Sequence, residues 1–272
     1  MQLLYFVSFA LCVSVLVSVP LRYKWELHQI HIWYGMMCIA GIVNGCLSAA
    51  IMHHFQPDAF ILTLIIDFGL TIVEVPIAIL PVFYRDPKRV SPQESGAIVS
   101  PADGKVVYIK KVEQGEVPLS IKLKTKINLQ ELAGTELISQ GSYLIGISMN
   151  FLDVHVNRSP IGGTIRRLTY VPGQFFSLRH ADSVVKNERQ SLLIDNGVFQ
   201  VGVVQISSRL VRRIVAFVKQ DEEVKIGQRI GAIRFGSQVD VVLPDDPRIR
   251  VKVRENDIVK AGVTILASVS GD

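Results

Sequence analysis

The sequence predicts N-terminal transmembrane helices followed by a mostly-β (α+β) domain with a sandwich of short strands. Three observations carry this. Of the 272 residues 49% are hydrophobic and only 19% charged, with a mean hydropathy of +0.35; soluble domains average roughly a quarter charged. Charge is split along the chain: residues 1–83 hold Arg22 and Lys24 against Glu26, Asp58, Asp67 and Glu74, net −2, and the remainder is net +7. From Ala97 onward, short β-branched and apolar runs are bounded by Gly, Pro, Asn and Asp. A membrane-anchoring segment, 1–83, of two to three helices and a second domain, 84–272, follow. Disorder and low complexity are excluded by the same composition.

Residues 3–21 carry no charge and reach the length of a spanning helix. Residues 32–52 form a second uncharged run. The third apolar run, 59–83, contains Asp67 and Glu74. Each would cost roughly 2.5–3.5 kcal/mol near a helix centre. Seven residues apart, they share one helical face, which must turn toward protein. Pro76 and Pro81 are expected to bend the end of this run. The chain opens Met1-Gln2-Leu3-Leu4 without a basic n-region, so the first run reads as a span rather than a signal peptide. Arg22 and Lys24 follow the first span, and Arg85, Lys88 and Arg89 follow the third. The loop 52–58 has no Lys or Arg. The positive-inside rule then puts the N-terminus outside and the second domain in the cytoplasm. Cys12, Cys38 and Cys46 all lie in the apolar runs, which leaves no disulfide framework and no cysteine metal site in the second domain.

In that domain, strands are expected at 97–99, 106–109, 143–147 and 198–206. Residues 207–217 fit a helix or a strand equally. Val224-Lys225-Ile226-Gly227 recurs 35 residues later as Val259-Lys260-Ala261-Gly262. Two ordinary hairpin turns would explain this echo. So would a strand sandwich similar to biotinyl or lipoyl carrier domains, although no biotinyl Met-Lys-Met is present.

Five stretches bear on chemistry. Ser100-Pro101-Ala102-Asp103-Gly104 is a turn by composition. Asp153, His155 and Asn157 fall on one face of a strand by the two-residue period. His155 in such a row suits general acid or base work, while a polar face meeting water is the plainer reading. Asn187-Glu188-Arg189 reads as a solvated loop. Arg212-Arg213 suits phosphate or carboxylate binding, or an anionic lipid surface. In Arg234-Phe235-Gly236-Ser237, Gly-Ser is a turn unless the Ser hydroxyl attacks the preceding carbonyl. That attack gives an ester, and elimination leaves a dehydroalanine. Hydrolysis then releases ammonia and a pyruvoyl group; Gly leaves the attacked carbonyl uncrowded. Composition does not choose between turn and cleavage site.

Taken in order, these pieces resemble the phosphatidylserine decarboxylase family in its short bacterial and archaeal form. The resemblance runs from Tyr84-Arg85-Asp86-Pro87-Lys88-Arg89 through Ser100–Gly104, Asp153–Arg158, Pro172-Gly173, Asn187–Arg189 and Val201–Ile206. It continues through Gly227-Gln228-Arg229 to Arg234-Phe235-Gly236-Ser237 and Val239-Asp240. It implies a proenzyme that cuts itself between Gly236 and Ser237 into a beta chain, 1–236, and an alpha chain, 237–272. Ser237 becomes the pyruvoyl cofactor, with no metal. Phosphatidylserine would form a Schiff base with it, lose CO2 and leave as phosphatidylethanolamine.

The resemblance further implies that Asp103, a His and Ser237 form a charge relay for the cut. Longer members carry His-x-x-His; here His155-Val156-Asn157-Arg158 puts Arg158 at the second position. His155 would then serve both the cut and proton delivery, with His180 as the alternative. Arg158 is permanently charged and unsuited as a base. It is a candidate for the substrate carboxylate or phosphate, together with Arg212 and Arg213. The implied partners are the phospholipid substrate, the membrane and the two chains of one precursor, and a homo-oligomer is compatible with this. The implied location is the cell membrane with the catalytic domain on the cytoplasmic side. Archaetidylserine, another serine-headgroup lipid or an amino acid would suit the same chemistry. A membrane-anchored binding module without catalysis is the contrasting class. Nucleic acid is disfavoured because the basic residues are spread along the chain without an aromatic-interleaved patch.

Overall fold

The structure is a computed structural model and describes residues 2–24, 27, 29–55, 60–112, 116–118, 126–128, 142–174, 176, 186–207, 214–233 and 237–270. Its contacts divide the chain into two compact units, Met1–Arg85 with Asn150–Leu152, and Asp86–Met149 with Asp153–Asp272.

The first unit holds three helices: α1 (Gln2–Lys24), α2 (Ile30–Phe55) and α3 (Phe60–Phe83). Small residues let α1 and α2 approach closely. A Cβ on Gly45 would lie 2.3 Å from Val7 Cα, and one on Gly41 would lie 2.9 Å from Leu11 Cα. Gly41-Ile42-Val43-Asn44-Gly45 is the small-xxx-small spacing that packs helices in lipid. The buried Trp33 indole donates to Ser18 O at 3.1 Å, and Asn44 Nδ2 donates to Thr71 Oγ1 on α3 at 3.2 Å. Among the described residues two stretches are long and apolar enough to cross a membrane, Leu3–Tyr23 and His31–His54. On α3 the apolar stretch Phe68–Phe83 is shorter. The helix runs through Pro76 and Pro81, and Glu74 on it is partly buried. The Asp67 side chain lies outside the description.

The second unit is built from strands: β1 (Ala97–Val99), β2 (Gly104–Val112), β3 (Glu116–Pro118), β4 (Lys126–Asn128), β5 (Ser142–Met149), β6 (Val156–Arg158), β7 (Gly163–Val171) and β8 (Arg189–Asp195). There follow β9 (Gln200–Ser207), β10 (Ile214–Ala216), β11 (Glu223–Val224), β12 (Arg229–Ile233), β13 (Ser237–Pro244), β14 (Ile249–Val251), β15 (Ile258–Val259) and β16 (Ile265–Val269). Residues 214–216, left open between helix and strand by the sequence, are thus strand. Eight strands form one antiparallel sheet in the order β11-β7-β8-β9-β13-β5-β2-β15, and β1-β16-β14 and β10-β12-β6 form two smaller sheets. Alternate residues of the large sheet (Ile145, Ile147, Ile165, Leu192, Val203, Val239, Val241) meet Ile98, Ile230, Ile233 and Leu266 of the small sheets in one buried core. Each fully buried aliphatic side chain there contributes about 1.5–3 kcal/mol.

The strand order reads the same from both ends because one seven-stranded unit occurs twice. β6 to β12 form one copy without interruption. β1, β2, β5, β13, β14, β15 and β16 form the other, and the first copy is inserted between its β5 and β13. The correspondence reaches single residues. Ser100 Oγ bonds Ala102 O and Ser159 Oγ bonds Ile161 O, both at 2.6 Å. Gly262 N donates to Ser100 O, and Gly227 N to Ser159 O. The β2–β5 ladder bulges between Val106 and Tyr108, and the β7–β8 ladder bulges at the matching place between Ile165 and Arg167. The two Lys-x-Gly turns seen in the sequence are therefore the same turn of two copies, with φ +74 at Gly227 and +71 at Gly262. In the uninterrupted copy, β8 and β9 join through the short turn at Asn196–Phe199. In the other, the matching gap lies between Met149 and Ser237, so Ser237 stands at the insertion junction.

Gly104 shows why the Asp-Gly turn needs glycine. Its φ is +146, and a Cβ would lie 2.2 Å from Ser148 O, a backbone atom with nowhere to go. Gly104→Ala is expected to destabilise the second unit by about 3 kcal/mol, read as a lower unfolding midpoint. An unchanged midpoint would mean the turn relaxes freely.

Candidate active site

Ser237 is the first residue of β13 and is 1% exposed. Antiparallel ladders on both sides fix it, opposite Met149 of β5 and Ser207 of β9. Its Oγ donates to Met149 Sδ at 3.1 Å. A thioether is a weak acceptor, so little holds the hydroxyl back from another partner. Ser237 shares its sheet face with Val239 and Val241, which places the hydroxyl on the core side. Gly236, Arg234 and Phe235 lie outside the described residues.

Asp103 sits in the turn before β2 and is 7% exposed. Arg89 grips it bidentately, Nη1 to Oδ1 at 2.5 Å and Nη2 to Oδ2 at 2.7 Å. Ala261 N donates to Oδ1 at 2.7 Å, and Val154 N approaches Oδ2 at 3.4 Å. Arg89 also donates to Ala261 O at 2.8 Å. One carboxylate thus joins the Tyr84–Arg89 motif, the Asp-Gly turn, the second Lys-x-Gly turn and the residue before His155. Removing one partner of such a buried pair costs about 3–5 kcal/mol. The described hydrogen bonds of Asp103 all go to these groups, so it meets the His155 segment through the Val154 amide and not through the imidazole.

The segment Asp153–Arg158 is buried throughout its polar residues: Asp153, His155, Asn157 and Arg158 are 1%, 3%, 0% and 6% exposed. The strand β6 begins only at Val156, so Asp153 and His155 precede it. Their burial comes from neighbouring segments rather than from strand alternation. His155 Nδ1 lies 2.9 Å from Asp153 O. A carbonyl only accepts, so Nδ1 carries a proton; in the neutral form of the ring the lone pair is then on Nε2. His155 O accepts from Ile233 N at 3.1 Å, which ties it to the end of β12, four residues before Ser237. Asn157 accepts from Gln205 Nε2 at 2.7 Å, and Gln190 Nε2 donates to Gln205 Oε1 at 2.8 Å.

Arg158 is held inside the protein. Nη1 donates to Gly227 O at 3.0 Å, and Nη2 donates to Asp86 Oδ1 at 3.0 Å and Pro87 O at 3.1 Å. Asp86 also pairs with Arg229. Burial lowers the Arg158 pKa, with the Asp86 charge pulling the other way.

Asn187-Glu188-Arg189, expected as a solvated loop, is buried instead. Asn187 exchanges hydrogen bonds with the Phe176 backbone and donates to Ser207 O at 2.9 Å; Glu188 accepts from Ile214 N at 3.1 Å. This corrects the composition reading. The motif braces Ser207, the residue paired with Ser237. Arg212, Arg213 and His180 lie outside the described residues. Met149, Arg89 and Gln205 were not singled out by sequence as site residues, though Arg89 and Gln205 belong to motifs that carry the resemblance. Among the described residues no group of three or more His, Cys, Asp or Glu could hold a metal ion.

Comparison with known proteins gives the same family as the sequence motifs. A family profile described as phosphatidylserine decarboxylase matches residues 79–267. The chain is 42% identical over 189 residues to the phosphatidylserine decarboxylase proenzyme of Erythrobacter litoralis, covering 69% of this chain and 72% of that protein. It is 34% identical over 238 residues to the proenzyme of Xanthobacter autotrophicus, covering 84% and 94%. A third proenzyme, from Novosphingobium aromaticivorans, is 40% identical over 190 residues, covering 69% and 71%.

Proposed function

Because the chain belongs to the phosphatidylserine decarboxylase family, we propose that it converts phosphatidylserine to phosphatidylethanolamine, using a pyruvoyl group made from its own Ser237. The observation that supports this best is the placement of Ser237. It is a buried serine at the first position of β13, on the core side, and among the described residues its hydroxyl meets a thioether. The cut between Gly236 and Ser237 gives chains 1–236 and 237–272. The pyruvoyl ketone, once formed, supplies an electron sink for loss of CO2 from the serine headgroup.

The chain's own residues do the rest. His155, with Nδ1 tied to a carbonyl, presents Nε2 to take the Ser237 hydroxyl proton and later to return a proton to the substrate carbon. Asp103 fixes the backbone at Val154 and so the path of the His155 segment, with Arg89 compensating its charge. Arg158 clamps the Asp86–Pro87 lead-in onto the Gly227 turn. Its bonds to Asp86, Pro87 and Gly227 leave the headgroup phosphate or carboxylate to Arg212 and Arg213. No metal enters this scheme.

The two N-terminal apolar helices support a membrane location. A two-chain lipid leaves the bilayer at about 0.8 kcal/mol per CH2, so an anchored enzyme meets its substrate in the membrane. We place the second domain on the cytoplasmic side of the cell membrane; with the N-terminus outside, this takes a third crossing, by α3. The functional test uses the purified full chain in mixed micelles with phosphatidylserine labelled at the serine carboxyl. The expected result is one labelled CO2 per ethanolamine lipid formed, and no turnover of free serine. Turnover of free serine at equal efficiency would contradict the lipid assignment.

A further inference from the structure

A second polar cluster sits directly beside Ser237 and has no part in the scheme above. Gln238 Nε2 donates to Tyr108 Oη at 2.7 Å and to Asp240 Oδ1 at 2.8 Å, and Tyr108 Oη donates to Asp240 Oδ2 at 2.7 Å. The three side chains form a closed ring of hydrogen bonds. Gln238 is 6% exposed and Asp240 0%. We propose that Tyr108, Gln238 and Asp240 are positioning residues, a latch that holds the new end of chain 237–272 in place after the cut.

Cutting changes what holds residue 237. Before it, residue 237 is bonded covalently on both sides; afterwards its one covalent neighbour is Gln238, and the ladders to Met149 and Ser207 end at it. Strand ends fray unless tied down, and a reacting group must stay within a fraction of an ångström of its partners. Gln238 and Asp240 belong to 237–272, whereas Tyr108 belongs to 1–236, so the ring spans the two products.

The fold shows how the ring is built. Tyr108 reaches Asp240 across the intervening strand β5, over Gly146, which pairs with both. A Cβ on Gly146 would lie 2.4 Å from the Tyr108 ring, so only glycine fits. The bulge between Val106 and Tyr108 inserts one residue and turns Tyr108 onto the face of Gly146 rather than the core. Lys110 Nζ lies 4.7 Å from the Tyr108 ring centroid. Burial pushes the Asp240 carboxyl up to about 6 and the Tyr108 hydroxyl up as well. A strand needs no such group between Val239 and Val241.

The other copy of the seven-stranded unit supplies the comparison. It has the same bulge, but Arg167 stands where Tyr108 does and Leu193 where Gly146 does. Gly202, paired with Leu193, stands where Asp240 does, paired with Gly146. The copy whose β8–β9 turn is continuous lacks the ring, and the copy with the junction at Ser237 has it.

This inference rests on the cut at Ser237, and its test separates the two. Wild type, Tyr108→Phe and Gln238→Leu are purified as full chains. Each is measured for the fraction cut, unfolding midpoint, kcat and KM per cut chain, and the rate at which hydroxylamine traps the ketone. The expected result for both variants is a normal fraction cut and a midpoint near wild type. In addition, kcat should fall about tenfold with KM within twofold, and trapping should be faster. Normal kcat and trapping in a fully cut variant would overturn the latch. A reduced cut fraction would overturn it too, by placing the ring's action before the cut. Absence of a cut in wild type would sink the Ser237 reading itself.

Discussion

Ser237→Ala is expected to leave one intact 272-residue chain with no measurable decarboxylation, a loss of at least about a thousandfold. The substitution removes a single oxygen, which the account makes both the nucleophile of the cut and the precursor of the cofactor. Its effect on folding should be small. The described bond lost is to Met149 Sδ, a weak acceptor. Surrounding residues keep their ladders through backbone groups that alanine shares. Denaturing electrophoresis, CO2 release and an unfolding midpoint within a few degrees of wild type check all three parts. A variant that is still cut would move the cleavage chemistry elsewhere in the chain.

His155→Asn is expected to slow the cut by about a hundred- to ten-thousandfold, so that uncut chain accumulates on expression. Asparagine is chosen because its amide Nδ2 can keep the hydrogen bond to Asp153 O that Nδ1 makes. What it lacks is the basic Nε2. The burial of this residue, 3% exposed, would make alanine ambiguous between lost base and lost packing. A time course of fragment appearance, with and without added imidazole, reads the effect. A normal time course for the variant would hand the role of base to another group, with His180 first in line.

Much of the architecture is legible in the sequence because it depends on local pattern. Apolar length marks the helices, and β-branched runs bounded by Gly and Pro mark β1, β2, β5 and β9. The Asp-Gly turn before β2 is readable for the same reason. The Lys-x-Gly echo was visible too, but its meaning was not. Its partners, Ser100 and Ser159, lie far away in sequence, and the duplication is disguised by insertion of one copy inside the other. Asn187-Glu188-Arg189 was read as solvated because charge suggests water; its actual partners are the Phe176 backbone, Ser207 O and the Ile214 amide.

The site shows the same division. Ser237, His155 and Asp103 could be named from spacing and resemblance, since the motifs are contiguous. Their connections could not. Asp103 meets Arg89 and the amide of Ala261, 158 residues away. Arg158 meets Asp86 from 72 residues away. The Tyr108–Asp240 contact depends on a bulge that no periodicity reports. One signal was nonetheless present: an aspartate in the middle of Val239-Asp240-Val241-Val242 needs a buried partner.

Denaturing mass spectrometry of the purified full-length protein tests the central claim most directly. The account predicts a fragment of 36 residues, 237–272, lighter by one ammonia than the same segment beginning with serine. An intact 272-residue chain that persists with time and added lipid, or a fragment that still begins with unmodified serine, would contradict it.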